Sequence, residues 1–173
     1  MRYLKHIGGA VAALAVTVTT AQAQTLDTVK KRGTLHCGVN VSLAGFSAPD
    51  DKGNWTGLDV DFCKALAVAV LGDDKKIKYV PTTAKERFEA LKSGEIDVLA
   101  RNTTWSMSRE SNYALYFPAV AYYDGQGFML PRSRNIDSAL DLNNSKVCVQ
   151  EATTTVLNVA DHFRANNMKY TEV

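Results

Sequence analysis

The chain has 173 residues, 46% of them hydrophobic and 22% charged, with 20 basic side chains against 18 acidic ones. Charges of both signs are interspersed and nearly balanced, which excludes the basic footprint of a protein that binds nucleic acid or an anionic membrane surface. The partner expected from this balance is a small molecule or another protein.

Residues 1–23 separate cleanly from the rest. Arg2 and Lys5 give a basic start, Ile7 to Val18 is an apolar, alanine-rich core, and Ala21, Gln22 and Ala23 form the small-residue pattern that precedes signal cleavage. This is a secretory signal peptide, with cleavage expected after Ala23. Its apolar core is shorter than the roughly 20 residues of a membrane-spanning helix, and no later segment is apolar for long enough. The mature chain is therefore expected to be exported and soluble, and the loss of Arg2 and Lys5 leaves its basic and acidic residues in balance.

Leu26 to Arg32 reads as a short helix stopped by Gly33, and Leu35 to Val39 as a strand. Asn40 to Gly57 contains Pro49, Asp50, Asp51, Gly53 and Asn54, all turn formers, and is expected to be a loop or small hairpin. From Leu58 to Leu71, Phe62, Leu66, Ala69 and Val70 recur at helical spacing; Asp59 and Asp61 sit in the first turn and Gly72 follows the end. Ile77 to Val80 is the next strand. Thr83 and Glu86 have capping-box spacing and open a helix whose Phe88 and Leu91 face inward and which Gly94 ends. Ile96 to Ala100 is a third strand. Alternating strands and helices with short connections imply parallel strands and a doubly wound α/β arrangement.

The segment from Phe117 to Leu130 mixes apolar strand residues with Gly125 and Gly127 and reads as a crossover to a second unit. Ser138 to Leu142 is expected as a short helix, Lys146 to Gln150 as a strand, and Thr153 to Asn166 as a helix with Leu157, Ala160 and Phe163 inward. Lys169 to Val173 is the start of another strand. So few elements cannot close a sheet over a core of their own, and the second unit is expected to be truncated.

An oxidising compartment permits disulfides. Cys37 in the first strand and Cys63 in the following helix are within plausible packing reach and are the favoured pair, with two buried free thiols as the alternative. Cys148 is then left without a partner.

Residues 93–109 carry the densest chemical signal. Where the strand Ile96–Ala100 ends, the chain displays Asn102, Thr103 and Thr104, then Arg109. Open α/β sheets bind ligands at such strand ends. The arginine offers a planar fork that fits both oxygens of a carboxylate, and hydroxyls and loop amides complete its shell. Taken alone, such an arginine is more often a solvated residue or a helix-end ion pair; the rest of the chain raises the binding reading above that.

Enzyme and metal signals are weak. His36 and His162 are the only mature histidines, and neither lies near a nucleophile elbow. Asp50–Asp51 and Asp59 with Asp61 lack calcium-loop spacing, and no Cys or His pairs recur at zinc spacing. No cofactor and no metal are expected. Sequons at Asn102 and Asn143 are short and context-dependent and carry no weight.

Several segments together resemble a known family: Gly57–Phe62, Leu91–Asp97, Arg101–Trp105 followed by Arg109, Tyr122–Phe128 and Val149–Thr155. From about Leu26 to Val173 the chain is similar to the periplasmic solute-binding proteins (family 3) of ABC importers for polar amino acids, and among them to the general L-amino-acid binders. The resemblance implies an α/β, two-lobed (type II) periplasmic-binding-protein fold, with a first lobe over 24–122 mostly present, a hinge over 123–130 and an incomplete second lobe over 131–173. It implies an L-amino acid captured in the cleft and delivered to a membrane-embedded ABC permease by a periplasmic monomer. Arg109 would grip the α-carboxylate, aided by Asn102, Thr104 and the adjacent Thr103. From the second lobe Thr153 and Thr154 would present helix-start amides, and a first-lobe loop with Asn40, Ser42, Leu43 and Phe46 would pack over the ligand.

Two departures stand out. Ala152, preceded by Glu151, occupies a position where the family usually has glycine. The acidic residue that holds the ligand ammonium, the return to the first lobe and the partner of Cys148 would all lie after Val173, so the chain itself is expected to bind weakly. The alternatives are a periplasmic dehydratase or lyase of the cyclohexadienyl-dehydratase type on the same fold, with Glu151 as its acid or base, and a non-functional remnant.

Overall fold

The computed structural model describes residues 21–173, with side chains from residue 24; most of the expected signal peptide thus lies outside the described residues. Helix α1 (Ala21–Arg32) leads into strand β1 (Leu35–Asn40). The segment expected as a loop or hairpin forms two short antiparallel strands, β2 (Ala48–Pro49) and β3 (Trp55–Thr56). Asp50 holds their turn by accepting hydrogen bonds from the backbone N–H groups of Lys52 and Asn54, at 2.9 and 2.7 Å. Helix α2 (Leu58–Leu71), strand β4 (Ile77–Thr82), helix α3 (Arg87–Ser93) and strand β5 (Val98–Leu99) follow.

The first sheet has the order β4-β1-β5, all parallel. Its central strand is buried almost throughout, as a strand covered on both faces must be. Cys37 is paired with Tyr79 on one side and Val98 on the other. Strand β5 is shorter than its apolar run, but hydrogen bonds from Asp97 N to His36 O and from Ala100 N to Gly38 O, each 2.9 Å, extend its pairing beyond both ends. A Cβ at Gly38 would meet the Ile96 side-chain tip, so a larger residue here would force that buried side chain to shift.

Cys37 and Cys63 form a disulfide with Cα atoms 6.2 Å apart. The bond lies between the buried face of α2 and β1. The helix buries Asp59, Val60, Cys63 and Ala67, whereas Phe62 of the expected face is 37% exposed and Ala69 is exposed too. The small side chains Cys63 and Ala67 are fully buried, with Leu66 and Val70 partly buried beside them. The expected Thr83–Glu86 box is present: the Thr83 hydroxyl donates to the Glu86 carboxylate at 2.7 Å, and Glu86 N donates back to Thr83 Oγ1 at 3.2 Å.

Helix α4 (Met107–Tyr113) is followed by a stretch, 114–131, without helix or strand. Beyond it come two 3-10 turns (Arg132–Arg134 and Ala139–Leu142), strand β6 (Ser145–Val147), helix α5 (Thr154–Ala165) and strand β7 (Tyr170–Glu172). Strands β6 and β7 pair in parallel. The core beneath α5 is Leu142, Val159 and Phe163, with Phe128, Leu130 and Tyr170 packed against them. Leu157, expected inward, is 63% exposed; Val159 takes the buried place on the helix face shared with Phe163. Among the described residues no helix is long and apolar enough to cross a membrane.

Candidate functional site

The C-terminal ends of β1, β4 and β5 meet at one edge of the first sheet, where Asn40, Thr82, Arg101 and Asn102 are joined. Arg101 donates to the Thr82 carbonyl at 2.7 Å and to Asn102 Oδ1 at 2.9 and 3.2 Å. Asn40 donates to the same Oδ1 at 2.9 Å. The side-chain carbonyl of Asn102 therefore holds the loop together, and Asn102 faces solvent at its margin. Asn40 also accepts from the amide of Ser42, which is exposed, while Leu43 is half-buried and bridges to Ser47. Phe46 packs edge-on against Tyr122, with centroids 5.1 Å apart.

Arg109 lies on α4, whose start is capped by Ser106. Its Nη1 donates to the Thr104 carbonyl at 2.7 Å, and its guanidinium sits 5.3 Å from the centroid of Phe88. Arg87 approaches the same ring at 4.7 Å. Arg87 Nη1 donates to the Asn102 carbonyl at 3.1 Å and to Thr103 Oγ1 at 3.3 Å, and Nη2 donates to the carbonyl of Ala152 at 3.1 Å. The Thr104 and Thr154 hydroxyls are 3.1 Å apart. Thr153 precedes α5 and donates its hydroxyl to the Gln150 carbonyl at 2.7 Å, leaving the first-turn amides of α5 without partners inside the helix. The expected residues Asn102, Thr103, Thr104, Arg109 and Thr154 are thus gathered in one place, with Thr153 beside them; Ser42 and Leu43 lie on the neighbouring β1 loop.

Arg87, Arg101 and Arg109 are 1%, 8% and 7% exposed. Burial lowers the pKa of all three. For Arg87 the nearby charges of Arg109 and Arg101 add to burial and bring it to about 9. Arg101 is opposed by the attraction of Asp59, and Arg109 by Tyr113. Asp59 is itself raised by burial, with Arg101 pulling the other way, and its Oδ2 has no hydrogen-bond partner; neither has Arg87 Nε. Three buried cations beside one carboxylate leave an excess of positive charge, which an anionic group of a ligand would neutralise. Among the described residues no three His, Cys, Asp or Glu side chains gather where they could hold a metal ion.

Arg87 is not marked by the sequence, and Arg101 enters there only as part of the Arg101–Trp105 segment, with no role of its own. Arg101 adjoins the polar run at the strand end and could have been included on position alone. Nothing local marks Arg87 as inward-facing, since the first residue of a helix is usually solvated.

Residues 35–172 match the model of the bacterial extracellular solute-binding proteins, family 3. The chain belongs to this family. It is 57% identical over 167 residues to the general L-amino acid-binding periplasmic protein AapJ of Rhizobium johnstonii, covering 96% of this chain and 48% of that one. It is 56% identical to the glutamate/glutamine/aspartate/asparagine-binding protein BztA of Rhodobacter capsulatus, covering 95% and 49%. An ABC-transporter periplasmic binding protein from Brucella ovis, solved with glutathione bound, superposes with a TM-score of 0.82 at 55% identity, over 86% of this chain and 47% of that one. This family 3 chain thus has the α/β fold of periplasmic binding proteins and spans about half the length of the relatives it matches. Those relatives are binding proteins by name, and Glu151, the candidate acid or base of the enzyme reading, stands outside the arginine cluster with its side chain 78% exposed, 3.7 Å from Lys85.

Proposed function

We propose that the chain supplies the carboxylate-gripping side of a periplasmic amino-acid receptor that serves an ABC permease. The observation that carries this reading is the contact of Thr104 with both Arg109 and Thr154, at the exposed margin of a cluster of three buried arginines with a single neighbouring carboxylate. Arg109 would take the α-carboxylate; Thr104, Thr103 and the start of α5 at Thr153 and Thr154 would complete its shell. Ser42 and Leu43 would border the side chain of the ligand. Residues 24–122 form the first lobe in this reading, 123–130 the crossover and 131–173 the beginning of the second lobe. The names of the relatives support an amino-acid ligand, and glutathione, bound by the Brucella ovis protein, carries a γ-glutamyl end with a free α-amino acid head.

By itself the 173-residue chain is expected to bind weakly, since it presents one grip where relatives twice its length present more surface. The test is a titration of the chain with L-glutamate, L-glutamine and L-alanine up to millimolar concentration, followed by NMR shifts and by recovery of the ligand. Shifts at Arg109 and Thr104 with the ligand recovered unchanged are expected. No shift for any amino acid would refute the reading, a consumed ligand would favour the dehydratase or lyase, and micromolar affinity would overturn the expectation of weak binding.

A further inference from the structure

We propose that Arg87 is a positioning residue that fastens the turn before α5 to the strand-end loop of the first sheet, and so sets the second half of the carboxylate grip in place. Its guanidinium reaches two bodies at once. Nη1 holds the Asn102 carbonyl and the Thr103 hydroxyl, while Nη2 holds the carbonyl of Ala152, sixty-five residues further along the chain. A planar fork can serve two such acceptors from one buried position; a lysine ammonium at the end of a flexible stem cannot hold both with the same geometry.

The surroundings suit a fixed strut. Arg87 lies against the Phe88 ring and is 1% exposed, so its orientation is set by packing. The turn it holds is local in extent: Ala152 has a left-handed backbone, φ 59°, and the helix begins two residues later. Two further contacts bridge the same elements. Lys85 faces Glu151 at the rim, and the Thr104 and Thr154 hydroxyls meet in an exposed contact beside the arginines. Of the three, only the Arg87 contact is made from a buried side chain, and its hydrogen bond from a charged donor is worth more than an exposed ion pair. Without this strut the start of α5, with its unpaired first-turn amides, would not stay beside Thr104 and Arg109.

The test is hydrogen exchange of the full chain and of the variants Arg87→Lys and Arg87→Met. Amides of residues 157–160, the first hydrogen-bonded turn of α5, are expected to exchange at least about tenfold faster in both, the lower end of what one charged hydrogen bond carries, with residues 35–40 of β1 unchanged. Unchanged exchange at 157–160 in a variant whose β1 stays protected would overturn the proposal. So would equal loosening of β1 in both variants, which would make Arg87 a support of the core. A second arm adds millimolar L-glutamate and rests on the proposed function. L-glutamate is expected to slow exchange of the unpaired amides of residues 154–156 in the wild type and to do so much less in Arg87→Lys. If wild-type protein shows no response to L-glutamate while the variants loosen 157–160, the strut stands and the ligand reading falls. If L-glutamate binds and the variants leave 157–160 protected, the reverse holds.

Discussion

The hydroxyl oxygens of Thr104 and Thr154 lie 3.1 Å apart although fifty positions separate the two residues. The pair joins the strand-end loop to the first turn of α5 and leaves lone pairs and amides beside it for a ligand. Replacing either threonine by valine keeps the shape and removes the bond. The expected loss is about 0.5–1.5 kcal/mol of binding, or roughly two- to tenfold in affinity for L-glutamate. NMR titration of each single variant and of the double variant checks this, and additive losses would show that the two hydroxyls act separately.

Arg109→Lys tests the two-pronged contact. Lysine retains the charge but loses the fork, and the expected cost is about 1.5–3 kcal/mol, ten- to a hundredfold in affinity. The decarboxylated analogue of the ligand should bind the two proteins alike. Equal affinity of wild type and variant for the amino acid would remove Arg109 from the grip.

Asp59 gives a pH dependence whose sign can be stated. Burial raises its folded pKa above the ordinary 3.8 while Arg101 opposes the shift. Between the ordinary value and the raised one the folded state holds more protons than the unfolded state, so this residue lowers stability as pH rises through that window. Asp59→Asn removes the titration. The difference in melting temperature between variant and wild type should grow in favour of asparagine as pH rises from about 3.8, and a flat difference would show that Arg101 fully compensates the buried carboxylate.

Ala152 holds a left-handed backbone at φ 59°. A left-handed conformation costs an L-residue roughly 1–2 kcal/mol, and glycine escapes that cost while giving back about 0.5–1 kcal/mol of chain entropy. Ala152→Gly is therefore expected to stabilise the chain by up to about 1 kcal/mol, and Ala152→Val to destabilise it. Urea melts of the three proteins decide the matter; a less stable glycine variant would place the methyl group in a contact that outweighs the strain.

Removing the Cys37–Cys63 bridge should cost about 2–4 kcal/mol, in line with a sequence separation of 26. Cys63→Ala should lose less than Cys63→Ser, because the site is fully buried among Val39, Ala100 and Trp55. Denaturant unfolding with and without reductant measures both effects, and a reductant-insensitive midpoint would contradict the assignment of stability to the bond.

Much of the first sheet could be read from periodicity and punctuation. Gly33, Gly72 and Gly94 end their helices with left-handed backbones, and the Thr83–Glu86 box forms as its spacing implies. The face of α2 was not legible in the same way: Leu66 and Val70 pack against the core as their spacing implies, but Cys63, bonded to Cys37, and Ala67 are the fully buried residues while Phe62 is partly exposed. Leu157 against Val159 is a second case: both fit a helical repeat, and only the position of β6 and β7 selects one. In the site, Arg109 and the Asn102–Thr104 run were visible because they sit together in sequence. Arg87 was not, since its partners at Asn102, Thr103 and Ala152 are supplied by tertiary contact.

Asn102 offers one acceptor to two donors, Asn40 and Arg101, that come from the tips of adjacent strands. A survey of substitutions scored by uptake would rank these three residues with the ligand contacts even if none of them touched a ligand. Comparing loss of affinity with loss of stability, residue by residue, would separate them: Asn40 and Arg101 should fall on the line where the two move together, and Arg109 away from it.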